Sequence, residues 1–229
     1  MPRVSGGHHT FADTAQRTHK QHIRTGENAV TRTKDEVRAA VRATRRARPD
    51  AEREQAAKDL AEWMTCAPFR LEYDVVAAAY VPAGTEPGSR AMLDALAGQG
   101  VRVLVPVVPP GPPGPLDWAR YDTADTLSAA RFGLHEPGGD RLGVGAVERA
   151  SVVFLPAMAA SRTGVRLGRG AGYYDRSVGA AVAGPARAEL VAVVFDDELF
   201  DDLPADPHDV PVDWVLTPGG GFLRCEPGA

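Results

Sequence analysis

Buried-strand patterns alternate with helical patterns along most of this chain, and that alternation limits the folds open to it. Continuous apolar runs at 75–81, 101–107, 152–155 and 190–195 are typical of strands that are buried on both faces. Segments with helical spacing separate these runs, as they do in successive β-α-β units. The pattern predicts an α/β fold, a single domain with a three-layer, open, mostly parallel sheet flanked by helices in a Rossmann-like arrangement.

The individual elements follow from spacing, caps and breaker residues. Helices are predicted at 34–48, 50–63, 89–99 and 173–182. Shorter strands are predicted at 116–121, on a sheet edge, and at 212–216, as the last strand. Residues 109–115 read Pro-Pro-Gly-Pro-Pro-Gly-Pro, which excludes both helix and central strand and predicts a loop.

Length and charge limit the domain count and the partners. The 229 residues, 44% of them hydrophobic, suit one domain at 34–229 that includes two N-terminal helices. Residues 1–33 are basic, lack apolar periodicity and are predicted to be a disordered tail. The net charge of -4 gives no global basic field, and no apolar run approaches the roughly 20 residues of a membrane helix. We expect a cytoplasmic monomer or weak dimer without nucleic-acid or membrane partners.

The two cysteines, Cys66 and Cys225, are far apart in sequence. Two distant cysteines form neither a disulfide framework nor a zinc site, so a reducing compartment is expected. Cys66 lies near Trp63 and Met64 and is predicted to be a small buried hydrophobic residue rather than a nucleophile.

The glycine-rich segment 164–175 carries the clearest functional pattern. It reads Gly-Val-Arg-Leu-Gly-Arg-Gly-Ala-Gly-Tyr-Tyr-Asp, and a predicted helix begins near its end. A glycine-rich turn that leads into a helix N-terminus binds anions, because free N–H groups and the helix dipole both favour negative charge. Arg166 and Arg169 add donors suited to phosphate or carboxylate, and Asp175 is a candidate Mg²⁺ ligand. The alternative is a structural turn, since the segment matches neither the dinucleotide fingerprint nor the P-loop.

The position of this segment favours the anion-binding interpretation. It follows the strand at 152–155 and precedes the helix at 173–182, so it lies at the carboxyl end of a strand. Open α/β sheets bind their ligands at that end.

With these residues in place, the chain resembles the 5-formyltetrahydrofolate cyclo-ligase family. The longest match is Arg-Leu-Gly-Arg-Gly-Ala-Gly-Tyr-Tyr-Asp at 166–175, similar to the family's Arg-Leu-Gly-(Tyr/Arg)-Gly-x-Gly-Tyr-Tyr-Asp. Shorter matches occur in the family's order at Lys34-x-x-x-Arg38, Glu86, Phe132–Pro137, Val152–Pro156, His208–Asp209 and Val212–Asp213. The chain departs from the family at Ala160–Ser161, where Phe-Asp is common, and at Ala171, where glycine or lysine is common.

The resemblance implies an enzyme that uses ATP and Mg²⁺ to convert 5-formyltetrahydrofolate, a small molecule, to 5,10-methenyltetrahydrofolate, ADP and phosphate. Phosphorylation of the formyl oxygen would let N10 attack the formyl carbon, and loss of phosphate would complete the ring. Because phosphoryl transfer depends mostly on positioning and charge stabilisation, the site must hold a triphosphate, a metal and a folate together.

The resemblance also implies roles for individual residues. The ATP site would comprise Lys34, Arg38, Arg166, Leu167, Gly168, Arg169, Gly170, Ala171, Gly172, Tyr173 and Tyr174. The folate would contact Val81, Glu86, Phe132, Arg169, Gly170, Gly172 and Tyr173. The Mg²⁺ ligands would be Asp175 and Asp209, and the catalytic residues would be Lys34, Arg169 and Tyr173.

Two other interpretations remain open. A paralogue with the same fold would bind ATP through the same loop but act on another substrate. A non-catalytic nucleotide-sensing or RNA-associated module is favoured slightly by the basic tail and the arginine-rich helix, and disfavoured by the acidic remainder of the chain. Without the resemblance, Lys34 and Arg38 would be interpreted as part of a solvated basic helix.

Overall fold

A sheet of seven strands organises this fold. The computed structural model describes residues 32–123, 127–130, 135–183 and 187–226. Within those ranges the strands are β1 (Val76–Ala79), β2 (Arg102–Val107), β3 (Asp117–Arg120), β4 (Leu127–Ala129), β5 (His135–Pro137), β6 (Val152–Pro156), β7 (Ala159–Ser161), β8 (Arg166–Leu167), β9 (Glu189–Val193), β10 (Leu199–Phe200), β11 (Trp214–Thr217) and β12 (Gly221–Arg224). The central sheet has the order β12-β11-β9-β6-β1-β2-β3. Two smaller sheets have the orders β10-β7-β8 and β4-β5.

The strand order of the central sheet creates a crevice. Strands β2, β1, β6, β9 and β11 are parallel, whereas the edge strands β3 and β12 are antiparallel to their neighbours. The parallel strands therefore follow the order 2-1-3-4-5, and the direction of winding reverses between β1 and β6. At such a reversal the connections leave the two strands in opposite directions and open a crevice beyond their carboxyl ends, here beyond Ala79 and Pro156.

Helices cover both faces of the central sheet. They are α1 (Lys34–Ala47), α2 (Asp50–Trp63), α3 (Arg90–Gly98) and α4 (Tyr173–Ala183), with 3-10 helices at Val144–Arg149 and Asp196–Glu198. On one face, Leu60 of α2 and Leu93 of α3 are buried in the core. On the other face, Val178 of α4 and Val147 of the first 3-10 helix are buried in the core. The predicted three-layer α/β arrangement is confirmed.

α1 begins at a capping box and packs beside the smaller β10-β7-β8 sheet. The Thr33 hydroxyl accepts the Glu36 N–H at 3.3 Å, and the Glu36 carboxylate accepts the Thr33 N–H at 2.7 Å. Val37 and Val41 form a buried cluster with Leu167 of β8. The first turn of α1 is therefore held close to the glycine-rich segment.

A buried ion pair ties the other end of α1 to the central sheet. Arg45 and Glu198 are 2% and 1% exposed, and their two contacts measure 2.6 and 2.7 Å. Arg45 Nη2 also donates to the carbonyl of Ala157, just beyond β6, at 2.6 Å. Glu198 in turn accepts the Phe195 N–H at 2.9 Å. The pair fixes α1 relative to the carboxyl end of β6.

Most of the predicted elements are confirmed, with three corrections. The strand near 212–216 is not the last, because β12 follows it and pairs with it as a hairpin. Cys66 is exposed rather than buried, because α2 ends at Trp63 and Cys66 lies in the turn that follows, two residues after the buried Met64. The short strands β4, β5, β7, β8 and β10 were not predicted. No helix in the described ranges is long and apolar enough to cross a membrane.

Candidate active site

A cavity of about 950 Å³ opens at the carboxyl ends of β1, β2 and β6. Tyr80 and Val81 follow β1, Pro106 belongs to the end of β2, and Pro156 ends β6; all four line the cavity. Its volume lies near the upper end of the range for small-molecule sites, about 300–1,000 Å³. The cavity is the crevice that the strand order creates.

The glycine-rich segment forms one wall of this cavity. Gly170 and Gly172 have φ angles of 103° and 68°, in the left-handed region that favours glycine. A Cβ at Gly172 would meet only the end of the exposed Arg176 side chain, 2.9 Å from its Nη1, so the φ angle rather than lack of space is what favours glycine there. The resulting turn delivers Tyr173, the first residue of α4, to the cavity wall.

Lys34 and Arg38 bring positive charge to the same wall from α1. Residues four apart share a helix face, and these two side chains are only 20% and 16% exposed. Arg38 Nε donates to the carbonyl of Gly168 at 3.0 Å. Lys34 Nζ donates to Asp206 Oδ2 at 2.6 Å and to Asp209 Oδ2 at 2.5 Å. The interpretation of a solvated basic helix is therefore wrong for both residues.

The contact between Lys34 and Asp209 keeps both groups charged. Partial burial opposes each charge, but hydrogen bonding and attraction between the partners outweigh it, so the pKa of Lys34 is raised and that of Asp209 is lowered. Asp209 also accepts the N–H of Asp206 at 2.8 Å. An ammonium and a carboxylate therefore face the cavity across the neutral pH range.

Arg166 lies beneath the glycine-rich turn, with a side chain that is 3% exposed. Its Nη2 contacts the carboxylate of Asp175, and its Nη1 lies 3.4 Å from the carbonyl of Pro156. The Nε is buried and has no hydrogen-bond partner in the part of the chain that the structure describes. Arg166 therefore holds Asp175, in the first turn of α4, against the end of β6.

Arg169 and Glu86 meet across the cavity wall. Arg169 Nη2 lies 3.2 Å from Glu86 Oε1, with the arginine 55% exposed and the glutamate 8% exposed. Glu86 Oε2 also accepts the Ala83 N–H at 3.0 Å. Burial raises the pKa of Glu86, and the charge of Arg169 opposes that rise without cancelling it. A largely buried carboxylate and an accessible guanidinium thus line the same cavity.

A second group of donors surrounds Lys34. Ligand atoms of Asp206, His208 and Asp209 lie within 4.8 Å of one another, a spacing that a single metal ion can span. Asp175, the other predicted metal ligand, is not part of this cluster and is paired with Arg166. Carboxylate oxygens are the donors that Mg²⁺ prefers in proteins.

The structure brings the predicted residues together. Every predicted site residue among those described lines the one cavity: Lys34, Arg38, Val81, Glu86, Arg166, Leu167, Gly168, Arg169, Gly170, Ala171, Gly172, Tyr173, Tyr174, Asp175 and Asp209. Phe132 lies outside the described residues. Their individual roles stay predictions.

Other cavity residues were not predicted. They include Thr33, Tyr80, Pro106, Val108, Pro113, Leu116, His135, Met158, Arg176 and Asp206. Proximity in sequence is the signal that could have found four of them. Thr33 precedes Lys34, Tyr80 precedes Val81, Arg176 follows Asp175, and Asp206 precedes Asp209 by three residues. Pro106, Val108, Pro113 and Leu116 come from β2 and the loop that follows it, where no charged residue marks a site.

Comparison with known proteins agrees with this geometry. A sequence model of the 5-formyltetrahydrofolate cyclo-ligase family matches residues 30–218. The 5-formyltetrahydrofolate cyclo-ligase of Mycolicibacterium smegmatis is 45% identical over 195 residues, covering 84% of this chain and 97% of that protein. The Escherichia coli K12 cyclo-ligase is 29% identical over 179 residues, covering 78% and 96%.

A solved structure extends the likeness to the fold. The NMR structure of Aquifex aeolicus 5,10-methenyltetrahydrofolate synthetase has a TM-score of 0.69 and 26% identity, covering 86% of this chain and 94% of that one. The family model matches most of the chain, the relatives are similar over nearly their whole length, and the glycine-rich segment 164–175, the family's signature loop, lines the cavity. This chain therefore belongs to the 5-formyltetrahydrofolate cyclo-ligase family.

Proposed function

We propose that this chain catalyses the ATP-dependent cyclisation of 5-formyltetrahydrofolate to 5,10-methenyltetrahydrofolate, with release of ADP and phosphate. One observation carries the proposal: the family's signature loop and the two cations of α1 line a single cavity at the winding reversal of the sheet. The alternative of a paralogue with another substrate has no specific observation in its favour.

The cavity wall formed by α1 and the glycine-rich segment, called the loop wall below, has residues that suit a polyphosphate. Lys34, Arg38 and Arg169 present charged donors, and α4 adds the positive end of its dipole. The unpartnered Nε of Arg166 leaves further donor capacity in the same wall. When bound, ATP supplies the phosphoryl group that converts the unreactive formyl oxygen into a leaving group. Lys34 and Arg169 stabilise the negative charge that spreads over the transferred oxygens.

Glu86 and Tyr173 fit the folate. A carboxylate accepts paired N–H donors, which the pterin edge offers, and Glu86 is held in place by the Ala83 N–H. Val81 and Tyr173 supply apolar surface for the flat ring. Because Arg169 reaches Glu86, its guanidinium lies between the proposed pterin contact and the phosphate wall. That position suits a group that acts on the formyl oxygen.

We assign Mg²⁺ to the carboxylates of this cavity. Asp209 is ionised because its pKa is lowered, and Asp175 is held by Arg166 at the start of α4. Asp206 and His208 add donors beside Asp209. When bound, the ion would neutralise phosphate charge. We also expect a cytoplasmic monomer or weak dimer without nucleic-acid or membrane partners.

The test is a direct assay with purified protein. The full chain is mixed with 5-formyltetrahydrofolate, ATP and Mg²⁺, and formation of the methenyl chromophore is followed together with ADP release. We expect one ADP per methenyl product and no reaction without ATP. Hydrolysis of ATP without methenyl product, or no turnover at all, would overturn the proposal.

A further inference from the structure

The loop between β2 and β3 has an unusual way of being held. Five of the seven residues at 109–115 are proline, so only Gly111 and Gly114 carry a backbone N–H. Proline also fixes its own φ angle, so such a segment is stiff. A stiff segment with few donors takes its position mainly from the residues at its two ends.

Glu136 holds the first end of the loop. The N–H of Val108, one residue beyond β2, donates to Glu136 Oε1 at 2.9 Å. Glu136 belongs to β5 and is 15% exposed, and its Oε2 lies 3.6 Å from Nη2 of Arg141. This glutamate belongs to the Phe132–Pro137 motif, and the proposed reaction gives it no role.

Ser177 holds the second end. The N–H of Leu116 donates to Ser177 Oγ at 2.8 Å, and the same hydroxyl donates to the carbonyl of Tyr173 at 2.7 Å. Ser177 is 3% exposed and lies one turn inside α4. The loop is therefore connected to the first turn of the helix that carries the signature tyrosines.

The loop and its anchors contribute an apolar wall to the cavity. Val108, Pro113 and Leu116 line it from this segment, and His135 lines it from β5, next to Glu136. No charged side chain comes from 106–116, in contrast to the wall formed by α1 and the glycine-rich turn. Stiff proline and aliphatic surfaces complement a flat aromatic ring rather than a phosphate chain.

We propose that Glu136 and Ser177 are positioning residues, which hold the proline-rich loop 109–115 as a rigid wall for the aromatic p-aminobenzoyl part of the folate substrate. The proposal rests on the proposed function for the identity of that substrate. Neither side chain touches the reacting atoms in this assignment; each acts through a backbone N–H of the loop. Loosening the loop therefore weakens folate binding and leaves ATP binding intact.

The test uses three substitutions at one anchor. Glu136→Ala removes the acceptor for Val108, Glu136→Gln keeps a carbonyl acceptor there, and Arg141→Ala breaks only the outer ion pair. Equilibrium binding of 5-formyltetrahydrofolate is measured by calorimetry without ATP, and KM is measured for both substrates. We expect Glu136→Ala to raise Kd and KM for the folate about tenfold, a typical effect of one lost hydrogen bond to a charged group. The KM for ATP stays within about twofold.

The controls separate positioning from general destabilisation. Glu136→Gln and Arg141→Ala should bind folate normally, and hydrogen exchange at the amides of 108–116 should rise in Glu136→Ala but not in these two variants. Ser177→Ala should repeat the folate-specific loss, and Ser177→Thr should restore binding. Equal effects on both substrates, normal folate binding by Glu136→Ala, or a Gln variant as weak as the Ala variant would each overturn the proposal. A wild-type protein that fails to convert the folate would instead overturn the proposed function.

Discussion

Replacing Arg45 with methionine tests how much of this fold depends on one buried charge. The change keeps an unbranched apolar stem but removes three hydrogen bonds to oxygen atoms, two to Glu198 and one to the Ala157 carbonyl. The Glu198 carboxylate is 1% exposed and would keep only the N–H of Phe195 as a partner. Removing one member of a buried ion pair typically costs about 3–5 kcal/mol, because the other charge stays buried and uncompensated.

The structure supports a value of about 4 kcal/mol, in the middle of that range. Both side chains are almost fully buried, so water cannot screen the remaining carboxylate without local opening. For a chain of this length, about 4 kcal/mol corresponds to a fall in Tm of roughly 8–16 °C. Urea denaturation followed by circular dichroism measures the free energy of unfolding, and an unchanged m-value shows that the same surface unfolds.

A second substitution identifies the cause of the loss. Glu198→Gln in the Arg45→Met background removes the uncompensated charge and keeps a carbonyl that accepts the Phe195 N–H. We expect the double variant to be more stable than Arg45→Met alone. The reasoning about a buried ion pair would be refuted if Arg45→Met lowered the free energy of unfolding by less than about 1 kcal/mol. It would also be refuted if the double variant were no more stable than Arg45→Met.

Three further predictions concern the cavity. Arg169→Ala should lower turnover at least about 100-fold while the protein stays folded, and near-normal methenyl formation would exclude Arg169 from catalysis. Asp175→Asn should raise the Mg²⁺ concentration needed for half-maximal rate, and an identical metal titration would exclude Asp175 as a ligand. Burial raises the pKa of Glu86, so its ionisation opposes folding at neutral pH, and Glu86→Gln should raise Tm at pH 7. That gain should vanish below the unfolded value of 4.5, where both states are protonated; a gain independent of pH would contradict the assignment to charge burial.

The sequence predicted the parts of the fold that local patterns determine. The long apolar runs identify β1, β2, β6 and β9, because strands buried on both faces need apolar residues throughout. The two-residue strands β8 and β10 are too short to show periodicity, and their pairing depends on how α1 and β7 are placed. Cys66 was expected to be buried from its neighbours, but α2 ends at Trp63 and the turn that follows leaves Cys66 exposed.

The sequence predicts the part of the site that depends on glycine and charged residues. A turn with φ angles above zero needs glycine, so the signature loop is visible in the sequence. The apolar wall is not, since Val108 and Leu116 resemble any core residues until the loop is placed. Arg45 and Glu198 form an ion pair although they are 153 residues apart, and the sequence around each residue gives no sign of this contact.

The cationic side chains of the wall formed by α1 and the glycine-rich segment already form ion pairs within the protein. The pairs are Lys34 with Asp206 and Asp209, Arg38 with Asp35, Arg166 with Asp175, and Arg169 with Glu86. An incoming anion must therefore displace a carboxylate from each cation that it contacts. Its binding free energy is only the difference between the new ion pair and the one that it displaces. A lone phosphate that reaches one cation gains little from such an exchange. A ligand that reaches several cations at once sums those small differences, so internal pairing makes the wall selective for extended polyanions.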